Sequence, residues 1–199
     1  MKRALLCLVM MMSVSFVFAQ KKKSDEKLSK VISSEINWWG YKIFKAEPTT
    51  YTGSLKLKSG VFRFKDGKFD GGDFVIDMRN LLVKTDMNSS DLAKLTTELK
   101  GFTFFDVKKY PIAKFELTKI LPLSNGSEYN SSVYGNLTLK GIRKTISFPA
   151  TVNITGTSVS IQSAKFPLNR QVFNVFYKSS IKDYIIKDEM DVQFKVATK

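Results

Sequence analysis

The sequence predicts an all-β fold, a closed antiparallel barrel of about eight strands with one short covering helix, and three observations carry that prediction. From Ile36 to the carboxyl terminus, apolar and polar residues alternate with period two in segment after segment. Gly, Asn and Asp, which tolerate turn geometry, separate the segments. Helical spacing occurs in one place, at Leu92, Leu95 and Leu99. Eight or nine strands with one apolar face each suit a sheet that closes on itself. A barrel packed solid by its own side chains, or a two-sheet sandwich, would alternate in the same way. The sixteen phenylalanines weigh toward a wide, aromatic-lined interior.

At the amino terminus, Lys2 and Arg3 precede the apolar run Ala4–Met12, and Val17-Phe18-Ala19 ends the stretch with small residues at alternate positions. This is the pattern of a secretory signal peptide over residues 1–19, cleaved after Ala19, and the apolar run is short for a membrane span. Residues 20–32 begin with Gln20 and three lysines and read as a polar, lysine-rich arm. The barrel domain is expected over residues 33–199.

Within that domain, Ile36–Phe44 is a strand with Trp38 and Trp39 on opposite faces, and Tyr51–Leu57 follows a break at Glu47-Pro48. Phe62 and Phe64 share one face, as do Phe74, Ile76 and Met78. Ser90 or Asp91 is placed to cap the helix, which should end near Gly101. The apolar knot Phe102, Phe104, Phe105 must then pack under something. Tyr110-Pro111 sets an extended backbone ahead of Ala113, Phe115 and Leu117. Further strands carry Val133, Leu137 and Leu139, then Ile146–Ile154. Val159 and Ile161 lead into Ala164, Phe166 and Leu168, and Met190, Val192, Phe194 and Val196 close the chain. Lysines and acids on the outward faces argue against an outer-membrane barrel, which needs an apolar outer band.

The chemistry is bounded by what is missing. The chain has no histidine, and its one cysteine, Cys7, leaves with the signal. Zinc sites, serine-hydrolase triads and thiol chemistry lose the residues they require. No cofactor is called for. A carboxylate enzyme would need two of Asp77, Asp106 and Glu116 to converge in a pocket. The protein is therefore expected not to be an enzyme. Loss of Lys2 and Arg3 lowers the formal charge of +14 by two. The remaining basic surface suits an anionic membrane, whereas export and the lack of a recognition motif argue against nucleic acid. Trp39 and Tyr41 are candidates for a homodimer surface or a membrane contact.

Several motifs, in order, are similar to those of the YceI-like family of polyisoprenoid-binding proteins. They are Ser34–Gly40, Tyr51-Thr52-Gly53, Gly72–Met78, Leu99–Leu117, Tyr134–Lys144 and Phe166–Arg170. Two positions depart from the family pattern: Tyr51 and Glu98 stand where histidine is common. The resemblance implies an extended eight-stranded antiparallel lipocalin-like barrel enclosing an isoprenoid or fatty-acid-like lipid, in an exported, periplasmic protein. Each methylene withdrawn from water would contribute about 0.8 kcal/mol, so no catalytic group is required for binding. For the apolar tail the expected residues are Phe62, Phe64, Phe74, Ile76, Phe115, Leu137, Phe148 and Phe166, with Phe102 and Phe105 at a mouth or helix seam. For a phosphate or quinone head they are Lys144 and Arg170. The rival reading is a secreted structural or protein-interaction module with a self-filled core.

Overall fold

Long alternating segments pair into continuous hairpins in the computed structural model, which describes residues 25–124, 126–177 and 181–199. The expected signal, 1–19, and the first part of the expected arm, 20–24, lie outside the described residues. β1 (Glu26–Phe44) and β2 (Glu47–Lys65) form the first hairpin, and β3 (Lys68–Val83) the next. Helix α1 (Ser89–Lys100) lies in the connection to β4 (Ile112–Pro122). β5 (Ser131–Leu139), β6 (Ile142–Thr155), β7 (Ser158–Ser163) and β8 (Phe166–Asn169) follow, then a short 3-10 turn at Arg170–Phe173. β9 (Tyr184–Ile186) and β10 (Glu189–Thr198) complete the chain.

The sheet is antiparallel and closes through β1 and β10, from Val31 opposite Thr198 to Trp39 opposite Asp191. Its ten strands make eight staves. β7 and β8 both pair with β10, at opposite ends of it, so they are two halves of one stave bent at Ala164-Lys165. β9 and β10 likewise share β1 as a neighbour. The predicted eight-stranded barrel is what forms.

Three local expectations change. β1 starts at Glu26, and Glu26–Lys30 pair with Val61–Lys65, so the stretch expected as a polar arm is strand from residue 26 onward. Alternation is weak there because only part of one face is covered. The break expected at Glu47-Pro48 falls instead at Lys45-Ala46, both left-handed (φ 49° and 69°), and Pro48 pairs with Ile43 inside the hairpin. The helix is capped by Asn88, whose side-chain oxygen accepts from the Asp91 backbone N–H at 2.9 Å. Gly101 ends it, as expected.

The core is unevenly filled. Away from the helix, Phe62, Leu117, Val133, Val159 and Ile161 are fully buried, and Phe62 meets Phe74 edge-to-face at 5.2 Å. This half is a packed floor. Phe62 and Phe64 belong to it, Phe64 resting edge-on against Phe69 at 5.8 Å. Toward the helix the walls stand apart.

Candidate ligand cavity

Two connected cavities occupy the open half of the barrel. The inner one is partly open to solvent, and all of its lining side chains are apolar. Alternation on six staves produces this: Phe74 and Ile76 from β3, Phe115 from β4, Leu137 from β5, Phe148 from β6, Phe166 from β8 and Phe194 from β10 all face inward. The rings brace one another. Phe148 stacks on Phe166 at 4.4 Å and meets Phe194 edge-on at 5.1 Å. Phe115 lies over Gly135, where a Cβ would collide with its ring, which is why the Tyr134-Gly135 step needs glycine. A space with no polar group does not hold water well and suits hydrocarbon.

The outer cavity lies under α1 and shares Leu55, Phe105 and Met190 with the inner one. Leu95 and Leu99 of α1 and Phe104 and Phe105 of the following turn roof it. That turn is held by Phe105 N–H to Leu99 O and Val107 N–H to Lys100 O, at 3.2 and 3.0 Å. Tyr51, Tyr177, Tyr184, Glu98, Lys42 and Lys187 are also among its lining residues, through mostly apolar surface. Burial, then the proximity of Tyr51, Tyr177 and Glu98, push the Tyr184 phenol up to about 12, so it stays a neutral donor. The buried Trp38 indole also lines this cavity, and its Nε1–H has no hydrogen-bond partner.

The expected tail residues separate into two groups. Phe74, Ile76, Phe115, Leu137, Phe148 and Phe166 line the inner cavity, and Phe105 stands at the junction. Phe62 and Phe64 are buried below it and line neither cavity. Phe102 is 80 % exposed and forms no seam, because the turn after Gly101 sends Phe104 and Phe105 inward instead.

The two cations expected for a head group are placed differently. Lys144 is exposed and lines neither cavity. Arg170 lines the outer cavity but is 4 % exposed and already committed. Its Nε donates to Lys187 O at 3.1 Å, Nη1 to Val175 O at 2.5 Å, and Nη2 to Ile186 O and Asp188 at 3.2 and 2.8 Å. It ties the 3-10 turn to β9. Burial lowers its pKa from the ordinary guanidinium value, with Asp188 opposing.

The three carboxylates weighed for catalysis do not converge. Asp77 is paired with Arg79, which holds its carboxyl below the usual range, Glu116 pairs with Arg143, and Asp106 sits in the turn after α1. None lines either cavity. Trp39 and Tyr41 are half-buried beneath Lys165, whose ammonium lies 4.4 Å from the Trp39 ring; Tyr41 donates to Asp191 and is also among the residues lining the outer cavity. Among the described residues, no three His, Cys, Asp or Glu side chains are grouped to hold a metal.

Sequence reasoning passed over Trp38, Tyr177, Tyr184 and the β10 residues Met190 and Phe194 as site residues. The β10 alternation marked the latter two as inward. Tyr177 and Tyr184 follow no periodic signal.

Crystal structures of similar fold include BcnA of Burkholderia cenocepacia, with a TM-score of 0.62 at 24 % identity over 83 % of this chain and 96 % of that one. A polyisoprenoid-binding domain from Saccharophagus degradans aligns at a TM-score of 0.56 and 13 % identity, over 86 % and 97 %. Among curated relatives, a UPF0312 protein of Yersinia pestis (strain Pestoides F) is 36 % identical over 89 residues, 44 % of each chain. One of Pseudomonas putida (strain W619) is 33 % identical over 104 residues, 52 % of this chain and 50 % of that one. The chain thus spans about half the length of the curated relatives it matches. The YceI-like domain model matches residues 25–198, from the first described strand to the last, and the chain belongs to that family.

Proposed function

We propose that the protein is an exported, non-catalytic carrier that holds a polyisoprenoid or similar long-chain amphiphile in its barrel. The observation that carries this reading is the inner cavity, whose lining is apolar throughout. A flexible hydrocarbon chain fits such a space by shape and area alone, at roughly 25 cal/mol per Å² removed from water. The likeness to a polyisoprenoid-binding domain supports the same class of ligand. Export rests on the leader pattern of residues 1–19 and on family membership.

Ligand exchange at an anionic membrane surface belongs to the same proposal. The chain carries a formal charge of +14, and Phe102, Val172, Phe176 and Ile185 are exposed on segments at the α1 end of the barrel. Phe176 and Ile185 share one groove with Tyr177 and Tyr184, which also line the outer cavity. Co-sedimentation with vesicles containing phosphatidylglycerol, lost on Phe176→Ser and Ile185→Ser together, is the expected result.

The carrier reading is tested by extracting the purified protein with organic solvent and identifying co-purifying lipid by mass spectrometry. Absence of lipid, together with no uptake of a prenyl or fatty-acid probe, would sink it. The rival reading, a self-filled module, predicts no co-purifying lipid and no probe uptake.

A further inference from the structure

The two-residue turn between β5 and β6, Lys140-Gly141, is left-handed at both positions (φ 50° and 77°), a geometry that favours asparagine or aspartate ahead of glycine. Lysine stands there instead, half-buried at the tip of the hairpin. Its ammonium donates to Phe104 O and to Asn174 O, both at 2.8 Å. Tyr110 seats the tip, its ring so close to Gly141 that a Cβ there would stand 3.1 Å from it.

The two carbonyls belong to separate segments of the cavity wall. Phe104 lies in the turn after α1, and Asn174 caps the 3-10 turn Arg170–Phe173. Across the gap the Phe104 ring lies 5.8 Å from the Tyr177 ring and 5.8 Å from the Arg170 guanidinium carbon. All three residues line the outer cavity, so the seam between them is part of its wall. Each segment spends its backbone N–H groups locally, Phe105 on Leu99, Val107 on Lys100, Asn174 on Gln171 and Val175 on Arg170. Among the described residues no hydrogen bond joins the two segments directly, and the Lys140 ammonium is the polar link between them. Lys140 itself lines neither cavity.

We propose that Lys140 is a latch that holds the seam between Phe104 and Tyr177 shut, and that lipid enters and leaves where this seam parts. The inference rests on the carrier reading above and assigns its gate. A side chain that touches no ligand and closes the wall in both the empty and the filled protein sets the barrier to exchange, not the affinity.

The test is stopped-flow fluorescence of N-phenylnaphthylamine binding to and leaving the purified protein. Lys140→Met keeps a side chain of similar length and removes both charge-assisted hydrogen bonds, so association and dissociation should each quicken about tenfold, with Kd changed less than about threefold. Lys140→Arg keeps a charged donor and should restore most of the slowness. Lys144→Met removes an equal charge from an exposed position on β6 and should leave both rates unchanged. Unchanged rates in Lys140→Met, or equal acceleration in Lys144→Met, would overturn the latch and leave the carrier reading standing. Faster dissociation alone, with Kd weakened to match, would also overturn it, because Lys140 would then act on affinity. Should Lys140→Met fail to fold, Lys140→Gln, which retains a neutral donor, is read by the same outcomes. No probe uptake by the unaltered protein would remove the carrier reading, and the latch with it.

Discussion

Gly53 shows how closely single residues set this barrel. A Cβ there would run into the Trp38 indole and the Leu82 carbonyl, so Gly53→Ala must move either the ring that lines the outer cavity or the β2–β3 wall. We expect a loss of about 1–3 kcal/mol, read from the urea midpoint, as for other overpacked sites. Tyr184 makes a prediction in pH. Its folded pKa of about 12 lies above the ordinary 10.0, so the folded state keeps a proton that the unfolded state gives up. That stabilisation is complete below pH 10.0 and is lost as pH rises toward about 12. Phenolate absorbance should show a late-titrating phase, to which Tyr41, raised by burial and Asp191, also contributes, and Tyr184→Phe should diminish it; an unchanged titration curve would contradict the placement of this ring. At this scale the sequence was partly legible. The tyrosine and glutamate standing where histidine is common, Tyr51 and Glu98, do meet in one cavity. For Arg170 the sequence reports a charge but not the partners that engage it, and for Lys144 it does not report that the side chain lies away from both cavities.

Helix α1 is the element on which access depends, because its Leu95 and Leu99 roof the outer cavity. The helix contributes little internal stability at twelve residues, so its cap and its buried face hold it. Asn88→Ala should cost about 1 kcal/mol. The expected signature is faster amide exchange confined to Ser89–Lys100 and quicker release of a bound probe, with the strands unaffected. Exchange rising equally in β4 and β5 would show that helix and barrel unfold together. The helix was legible from the spacing of Leu92, Leu95 and Leu99, whereas its cap was misassigned by two or three residues, since Asn88, Ser90 and Asp91 all have suitable side chains. The bent stave of β7 and β8 was visible in the run from Val159 to Leu168. The first turn of β1 was hidden by its lysines.

Across the whole molecule, fully buried residues such as Leu117 and cavity-lining residues such as Ile76 are distinct sets, and substitutions should report the division. Leu117→Ala in the floor should lose about 2–5 kcal/mol and leave ligand uptake intact. Ile76→Trp, which places bulk in the inner cavity, should change stability little and reduce uptake of a prenyl probe. Thermal unfolding and probe titration of the two variants would separate these outcomes, and destabilisation by Ile76→Trp with no effect on uptake would argue that the inner cavity is closed in solution.

The order of apolar and polar residues determined by itself that the chain is all-β, which residues face inward, and that one helix interrupts the strands. The reason is local, since side chains alternate along any strand whatever its neighbours do. The tertiary structure decided how much of the inside is empty. That depends on how far apart walls from distant parts of the chain stand once β1 meets β10, Trp38 opposite Val192, and on which donors find partners there. Phe62 and Phe115 have the same signature in sequence; closure makes one a floor and the other a cavity wall.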